Sequence, residues 1–194
     1  MSLRAPHIVA ISGSFRRPSK SRLLGEAVVA ATSARMELTF ESYDILDAGS
    51  GLGAAFARQD LSEPAAAILT AIEGADAIVA VSPVYKGSYT GLFKHLFDFV
   101  SPEALVGKPV VIGATGGGHR HGLVVEHQLR PLFGFFSALT VPTSVYASDH
   151  EFAGNEIVEA AVRERIDQAA AQLAGLLLAR RIPASPRIVH SSAA

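Results

Sequence analysis

Residues 12–21, directly after a short apolar run at residues 7–11, are rich in serine and arginine. Four of their side chains could bind one anion together, the hydroxyls of Ser14, Ser19 and Ser21 and the guanidinium of Arg16. All of these groups can donate hydrogen bonds to phosphate oxygens. The amides at the start of a following helix would point at the same spot, where the helix dipole also favours an anion. The segment therefore predicts a phosphate site.

This segment matches neither of the two common phosphate-binding motifs. It lacks the Gly-Lys-Ser/Thr ending of a P-loop and the three spaced glycines of the dinucleotide fingerprint. Hydroxyls would have to do much of the binding, which favours a terminal phosphate over a pyrophosphate. Taken alone, the same serines could simply cap a helix that follows a strand. The other segments of the chain decide between a helix cap and a phosphate site.

The elements that must position these groups alternate along the chain. Strand-like runs occupy residues 7–11, 36–43, 75–81, 109–114 and 141–146, and helix-like patterns occupy residues 21–33, 63–73, 91–100, 121–137 and 155–180. Five strands separated by helices predict an α/β fold with a doubly wound parallel sheet in three layers, α/β/α. We expect one domain over residues 1–180 and a C-terminal tail over residues 181–194.

A five-stranded sheet of order 2-1-3-4-5 binds ligands beyond the carboxyl ends of its strands, where strands 1 and 3 diverge. The loops that would meet there are residues 12–21, 82–90 and 115–121. The second loop offers amide donors and an aromatic wall from Tyr85 or Tyr89. The third contains three successive glycines, which would let a flat ring lie against backbone amides. A phosphate hook beside two such loops fits flavin mononucleotide (FMN).

Composition excludes several classes of protein. The 194 residues carry a net charge of −1 and contain no cysteine, which argues against nucleic-acid binding, disulfides and cysteine-based zinc sites. The longest apolar helix, residues 169–179, is too short for a bilayer that needs about 20 apolar residues, so a cytoplasmic protein is expected. His119 and His121 do not predict a metal site, because residues two apart do not share a helix face.

Three motifs together resemble the NAD(P)H-dependent FMN reductase family, which is flavodoxin-like in fold. They are Gly-Ser-x-Arg-x-x-Ser at residues 13–19, Ser-Pro-Val-Tyr-Lys at 82–86 with Gly-Leu-Phe-Lys at 91–94, and Ala-Thr-Gly-Gly at 114–117. The resemblance covers roughly residues 7–147 and is strongest to the flavin reductases of two-component alkanesulfonate and methanesulfonate monooxygenase systems. It implies hydride transfer from NADH or NADPH to FMN, and delivery of reduced FMN to a monooxygenase.

The resemblance also implies the residues of the site. Those that would hold the phosphate are Ser14, Arg16, Ser19 and Ser21. Those that would hold the flavin body are Pro83, Val84, Tyr85, Lys86 and Ser88, and those at the ring edge are Thr115, Gly116 and Gly117. No catalytic side chain is implied, because the cofactors carry the reactivity and the protein aligns the rings.

The nicotinamide cofactor is less well defined by the sequence. Arg120 would contact its phosphates or remain a solvated loop arginine. The cations that could select a 2′-phosphate are Arg16, Arg17, Lys20 and Arg120, so the choice between NADH and NADPH stays open.

Pro131 predicts a distortion in the helix over residues 121–137. It lacks an amide hydrogen, and its ring crowds the carbonyl group of His127, an arrangement that often accommodates a π-type bulge. The resemblance implies a homotetramer, or a dimer of dimers, with the flavin near a subunit interface and His127 at the bulge of that interface. The alternative is a plain proline-kinked helix with a surface histidine.

Two other functions stay open. One is a related enzyme that retains FMN and reduces quinones or azo dyes. The other is a non-enzymatic electron carrier of the flavodoxin type, which would usually be strongly acidic around the flavin, whereas this chain is nearly neutral.

Overall fold

In the computed structural model, which describes residues 4–180, the centre of the protein is a parallel sheet. Its strands are β1 (His7–Ser12), β2 (Thr39–Asp44), β3 (Ala77–Pro83), β4 (Pro109–Gly116), β5 (Leu139–Thr140) and β6 (Val145–Ser148). The order is β2-β1-β3-β4-β5, and β6 also pairs with β4. The order predicted for a flavodoxin-like sheet is confirmed. Ser12 pairs with Val81 and Pro83 with Thr115, so the loops after these strands leave the sheet at one edge.

Helices cover both faces of the sheet. They are α1 (Lys20–Ser33), α2 (Gly51–Ala54), α3 (Glu63–Gly74), α4 (Gly91–Asp98), α5 (Arg130–Phe135) and α6 (Ala160–Arg180). Along β1, Ile8 and Ala10 pack with α1 and α6, whereas Val9 and Ile11 pack with α3, α4 and α5. This alternation gives two hydrophobic layers and explains why the central strands are apolar throughout.

The fifth strand is divided, so the prediction of one strand over residues 141–146 is wrong. Pro142 lies between β5 and β6 and cannot donate a backbone hydrogen bond there. Side chains from two helices bind the intervening segment instead. The Arg130 Nη1 atom donates to the Val141 carbonyl oxygen at 3.1 Å, and the Gln172 side chain bonds both the amide and the hydroxyl of Thr143.

Two predicted helix boundaries are also wrong. The last helix begins at Ala160 rather than at residue 155, because Gly154 has a φ of +57° and turns the chain into a hairpin of β7 (Phe152–Ala153) and β8 (Glu156–Ile157). The helix predicted over residues 121–137 comprises a 3₁₀ turn at His119–His121, a π-helix at Val125–Leu129 and then α5. The other predicted boundaries lie within three residues of those observed.

Within residues 4–180, none of the helices has the length and hydropathy needed to cross a membrane. The predicted tail, residues 181–194, lies outside the described residues.

Candidate functional site

The three predicted loops surround one cavity of about 350 Å³ at the carboxyl edge of the sheet. This volume is typical of a small-molecule site. The predicted residues that line it are Ser14, Arg16, Ser19, Ser21, Pro83, Val84, Tyr85, Thr115, Gly116 and Gly117. Lys86, Ser88 and Arg120 do not line it.

The phosphate end of the cavity is built on the first turn of α1. The Ser19 hydroxyl accepts a hydrogen bond from the Arg22 amide at 3.1 Å, so Ser19 both caps the helix and lines the cavity. The amides of Lys20 and Ser21 belong to the first turn, where a helix offers no internal acceptor. The Arg16 side chain is exposed and makes no hydrogen bond or ion pair within residues 4–180.

Ser14 and Arg17 fix the shape of this loop. The Ser14 hydroxyl donates to the Arg16 carbonyl oxygen at 3.1 Å and accepts from the Arg16 amide at 3.3 Å. Arg17 donates through Nε and Nη2 to both carboxylate oxygens of the fully buried Asp44, at 2.8 and 2.9 Å, and also to Asp47. These hydrogen bonds raise the pKa of Arg17. The Arg17 guanidinium therefore fixes the loop to Asp44 and Asp47 and is not free to bind a ligand.

Side chains tie the three loops to one another. The hydroxyls of Ser21 and Thr115 are 2.6 Å apart, and the rings of Phe15 and Tyr85 meet edge to face with centroids 5.2 Å apart. The Thr90 hydroxyl donates to the Gly13 carbonyl oxygen at 2.7 Å. The cavity therefore has braced walls on three sides.

The middle loop contains a two-residue hairpin between Tyr85 and Ser88, whose backbones exchange hydrogen bonds of 2.9 and 3.3 Å. Lys86 and Gly87, at its tip, have φ values of +54° and +86°, as a type I′ turn requires. A lysine in the left-handed region costs about 1 kcal/mol. The Ser88 hydroxyl donates to Gln128 Oε1 at 3.1 Å, which links the hairpin to the π-helix.

The glycine wall is shaped by Tyr146, a residue the sequence analysis did not single out. The Tyr146 hydroxyl donates to the Gly118 carbonyl oxygen at 2.6 Å. A Cβ atom on Gly116 would lie 2.6 Å from the same hydroxyl oxygen. Burial raises the pKa of Tyr146, as do the carboxylates of Glu151 and Asp149. Gly116 therefore has to be glycine as long as Tyr146 holds this position.

Pro18, Lys20 and Asp149 also line the cavity. Lys20 was predicted as a cation that could select a 2′-phosphate, whereas no role was predicted for Pro18 or Asp149. The Lys20 Nζ atom lies 2.8 Å from Asp149 Oδ1 and 3.2 Å from the Asp149 carbonyl oxygen. Asp149 directly follows β6. Ligands bind at the carboxyl ends of parallel strands, so the position of Asp149 directly after the last strand could have predicted that it lines the cavity.

The distortion predicted from Pro131 is present as the π-helix, which contains His127 and ends two residues before the proline. His127 is exposed, and its amide donates to the Leu123 carbonyl oxygen at 3.0 Å. The Arg130 guanidinium binds the Glu126 carboxylate, and this hydrogen bond lowers the pKa of Glu126 to about 2. A role for His127 in subunit contact stays a prediction.

The loop that carries Arg120 lies beside the cavity. The Arg120 side chain is exposed, and its Nε donates to His121 Nε2 at 3.1 Å. The proposed contact between Arg120 and a nicotinamide cofactor stays a prediction.

The donor set fits an FMN-sized ligand. Hydroxyls, first-turn amides and an unpaired guanidinium at one end suit a phosphate dianion. At the other end, Val84 and Tyr85 face a wall of glycines without Cβ atoms, which suits a flat ring. Within residues 4–180, no group of three His, Asp or Glu side chains is placed to hold a metal ion.

Comparison with known proteins gives consistent results. The family described as NADPH-dependent FMN reductase matches residues 6–153 of this chain. A Pseudomonas fluorescens (strain Pf0-1) protein named NADH-dependent FMN reductase SfnF is 44% identical over 169 residues, which cover 87% of this chain and 90% of that protein. A Pseudomonas aeruginosa protein named FMN reductase (NADPH) is 43% identical over 169 residues, covering 87% and 91%.

A solved structure is also similar. The apo form of an NADH:FMN oxidoreductase (EMOB) superposes with a TM-score of 0.78 at 30% sequence identity, covering 88% of this chain and 89% of that one.

Proposed function

We propose that this chain, which belongs to the NADPH-dependent FMN reductase family, holds FMN in the cavity with the phosphate at residues 14–21. The chain is an oxidoreductase that uses FMN and NADH or NADPH. The observation that carries the assignment of the site is the convergence of two unlike surfaces in one cavity. A hydroxyl-rich helix start lies at one end, and a glycine wall lies at the other.

Each part of the cavity has a task in this proposal. The Ser19 and Ser21 hydroxyls donate to phosphate oxygens, with Ser21 accepting from the Thr115 hydroxyl. The Ser14 hydroxyl turns from the Arg16 carbonyl oxygen to donate to the phosphate, and the Arg16 side chain supplies the positive charge. Val84 and Tyr85 cover one face of the ring, and the backbone of residues 115–117 borders its edge. When bound, the flavin supplies the hydride-accepting chemistry, so the protein needs to align two rings and exclude water rather than provide an acid or a nucleophile.

We further propose that the reduced flavin leaves and serves a monooxygenase that acts on an alkanesulfonate or methanesulfonate. The motif resemblance at residues 13–19, 82–94 and 114–117 supports this use. Delivery to a partner requires FMN to be exchanged rather than retained. This fits a phosphate end at which, among residues 4–180, Arg16 is the one cavity-lining cation without an ion pair.

A homo-oligomer, with a dimer of dimers as the specific arrangement, is part of the same proposal. Exposed residues recur every four positions from just before the π-helix to the end of α5. They are Leu123, His127, Pro131 and Phe135. An apolar groove of about 470 Å³ lies between α4 and α5, and Phe135 belongs to its lining. A second copy of the chain would cover this apolar surface.

The test is steady-state oxidation of NADH and of NADPH by the purified protein, with and without added FMN, together with measurement of the FMN that co-purifies. We expect little bound FMN and a rate that depends on added FMN. A rate that ignores free FMN yet responds to a quinone would instead identify an FMN-retaining reductase.

A further inference from the structure

The charged side chains around the phosphate end are almost completely paired. Residues 16–22 contain four cations, Arg16, Arg17, Lys20 and Arg22, and four carboxylates lie around them, Glu26, Asp44, Asp47 and Asp149. Arg17 and Arg22 bind the carboxylates beside β2 and on α1, and Lys20 binds Asp149. Of these four cations, Arg16 alone has no ion pair within residues 4–180 and is therefore available to a phosphate in the cavity.

Asp149 differs from the other three carboxylates because it lines the cavity itself. It directly follows β6, and its Oδ2 atom lies 3.8 Å from the position of a Cβ on Gly117. The side chain is 53% exposed, and its partner Lys20 is 40% exposed. An anionic ligand would thus enter beside a carboxylate that also occupies the nearest lysine.

From this arrangement we infer that Asp149 weakens the binding of the phosphate end of FMN and so keeps the flavin exchangeable. The inference rests on the proposed function, in which FMN occupies this cavity. A phosphate monoester carries a charge of about −1.5 to −2 at neutral pH. Asp149 opposes it twice, through direct repulsion and by neutralising Lys20, which would otherwise face the phosphate.

A purely structural role for Asp149 predicts the opposite result. The Lys20–Asp149 pair joins the start of α1 to the end of β6, and Lys20 also lies 5.5 Å from the centre of the Phe152 ring. If this link mainly braced the walls, its loss would loosen the cavity and weaken the binding of any flavin. The direction of the change therefore separates the two roles.

The experiment compares FMN with riboflavin, which has the same ring but no phosphate. Dissociation constants are measured by fluorescence titration for the wild-type chain and for Asp149→Asn, which keeps the size of the side chain, and FMN release is followed by stopped flow. We expect Asp149→Asn to bind FMN about ten-fold more tightly and to release it more slowly, while riboflavin affinity stays the same. The gain should shrink at about 0.5 M salt.

Asp167→Asn is the matched control. It breaks a similar ion pair, in which Asp167 of α6 lies 2.6 Å from Arg35, just past the C-terminal end of α1. It should change the affinity for neither FMN nor riboflavin. Unchanged or weaker FMN binding by Asp149→Asn would overturn the inference while leaving the phosphate site intact. A wild-type chain that binds FMN no more tightly than riboflavin would instead overturn the proposed phosphate site itself.

Discussion

At the scale of single residues, the site depends on two glycines that have no room for a side chain. A Cβ on Gly13 would lie 2.5 Å from the Ser82 hydroxyl oxygen, and one on Gly116 would lie 2.6 Å from that of Tyr146. Both hydroxyls are fixed by hydrogen bonds, Ser82 by the Thr90 amide and Tyr146 by the Gly118 carbonyl. These glycines are required by contact with braced neighbours and not by unusual backbone angles.

Gly116→Ala should therefore lower the free energy of unfolding, by about 1–3 kcal/mol, because the added methyl group meets the Tyr146 hydroxyl. Tyr146→Phe alone should cost about 1 kcal/mol through the lost hydrogen bond. In the double variant the obstructing oxygen is gone, so its loss of unfolding free energy should be smaller than the sum of the two single losses. Urea unfolding of the four chains measures this coupling, and strict additivity would contradict the steric account.

Arg16→Met should raise the dissociation constant for FMN by about 10–100-fold, the range expected for losing hydrogen bonds from a charged donor. Riboflavin binding and urea stability should be unchanged, since the Arg16 side chain has no partner within the described residues and the backbone bonds to Ser14 are kept. Arg163→Met is the control, because Arg163 is an exposed arginine on α6 whose side chain, among residues 4–180, donates to the Ile157 carbonyl oxygen alone. An equal loss of riboflavin affinity would show that Arg16 shapes the loop rather than binding phosphate.

Local residue types predicted the three loops but not the parts that Asp149 and Tyr146 play beside them. Serines and glycines that directly follow an apolar run are visible as such in the sequence. Asp149 and Tyr146 act through partners that only the tertiary structure brings close: Lys20 is 129 positions from Asp149. Such pairs depend on where the fifth strand ends, which no local pattern specifies.

At the scale of elements, the π-helix and the divided edge strand are held together by Arg130. Its guanidinium donates to Thr140 Oγ1, to the carbonyl oxygens of Val141 and Pro142, and to the Glu126 carboxylate. The Ser144 hydroxyl donates to the same carboxylate at 2.7 Å. Arg130 of α5 and Glu126 of the π-helix thus hydrogen-bond to backbone carbonyls and a hydroxyl in the segment between β5 and β6.

Glu126→Gln should lower the free energy of unfolding at pH 7 by about 0.5–1 kcal/mol, a small value because both partners are partly exposed and screened. Since the folded pKa of about 2 lies below the unfolded value of 4.5, the stabilisation is complete above pH 4.5 and is lost as pH falls toward 2. Urea unfolding at pH 7 and pH 3 tests this. A difference between the two chains that is as large at pH 3 as at pH 7 would contradict the lowered pKa of Glu126.

Lys108 gives a second pH dependence at the end of α3. It is buried and donates to the carbonyl oxygens of Ile72 and Glu73, and burial lowers its pKa to about 8. Between pH 8 and 10.5 the unfolded chain binds more protons at this lysine, so its contribution to stability rises with pH.

The free energy of unfolding of the wild type relative to Lys108→Met should therefore increase between pH 7 and pH 10, by roughly 1–2 kcal/mol. A difference that stayed constant across this range would contradict the lowered pKa.

The larger elements could be predicted because apolar runs and helical periodicity are local properties. Pro131 also pointed to the distorted helix. Pro142 and Gly154 were equally visible in the sequence, but they were not used to divide the fifth strand or to place the start of the last helix. The two-residue strands β5, β7 and β8 exist because neighbouring segments pair with them, and that depends on the whole fold.

At the scale of the whole molecule, large exposed apolar side chains lie just before the π-helix and at the end of α5, where Phe135 lines the groove next to α4. Phe135 is 73% exposed and Leu123 is 66% exposed. Large apolar side chains grouped in this way mark surfaces that contact another protein.

Phe135→Glu should therefore shift the protein toward monomers, because a carboxylate would be buried in the proposed contact. His127→Ala should change either the oligomeric state or the rate of FMN exchange. Light scattering coupled to size exclusion measures the mass, with Leu178→Glu on α6 as the control. Phe135→Glu with an unchanged mass would place the contact elsewhere, and a His127→Ala chain unchanged in both properties would remove the proposed role of the π-helix.

The interruption at Pro142 also determines how two molecules of this chain can meet. A long, regular strand at the rim of a sheet invites a neighbouring chain to extend the sheet, which is a common route to fibrils. Here one rim consists of strands of two and four residues separated by a proline, and the other, β2, carries Glu41. We therefore expect sheet extension to be disfavoured at the divided rim, so that two copies of this chain would meet there through helical surfaces rather than through paired strands.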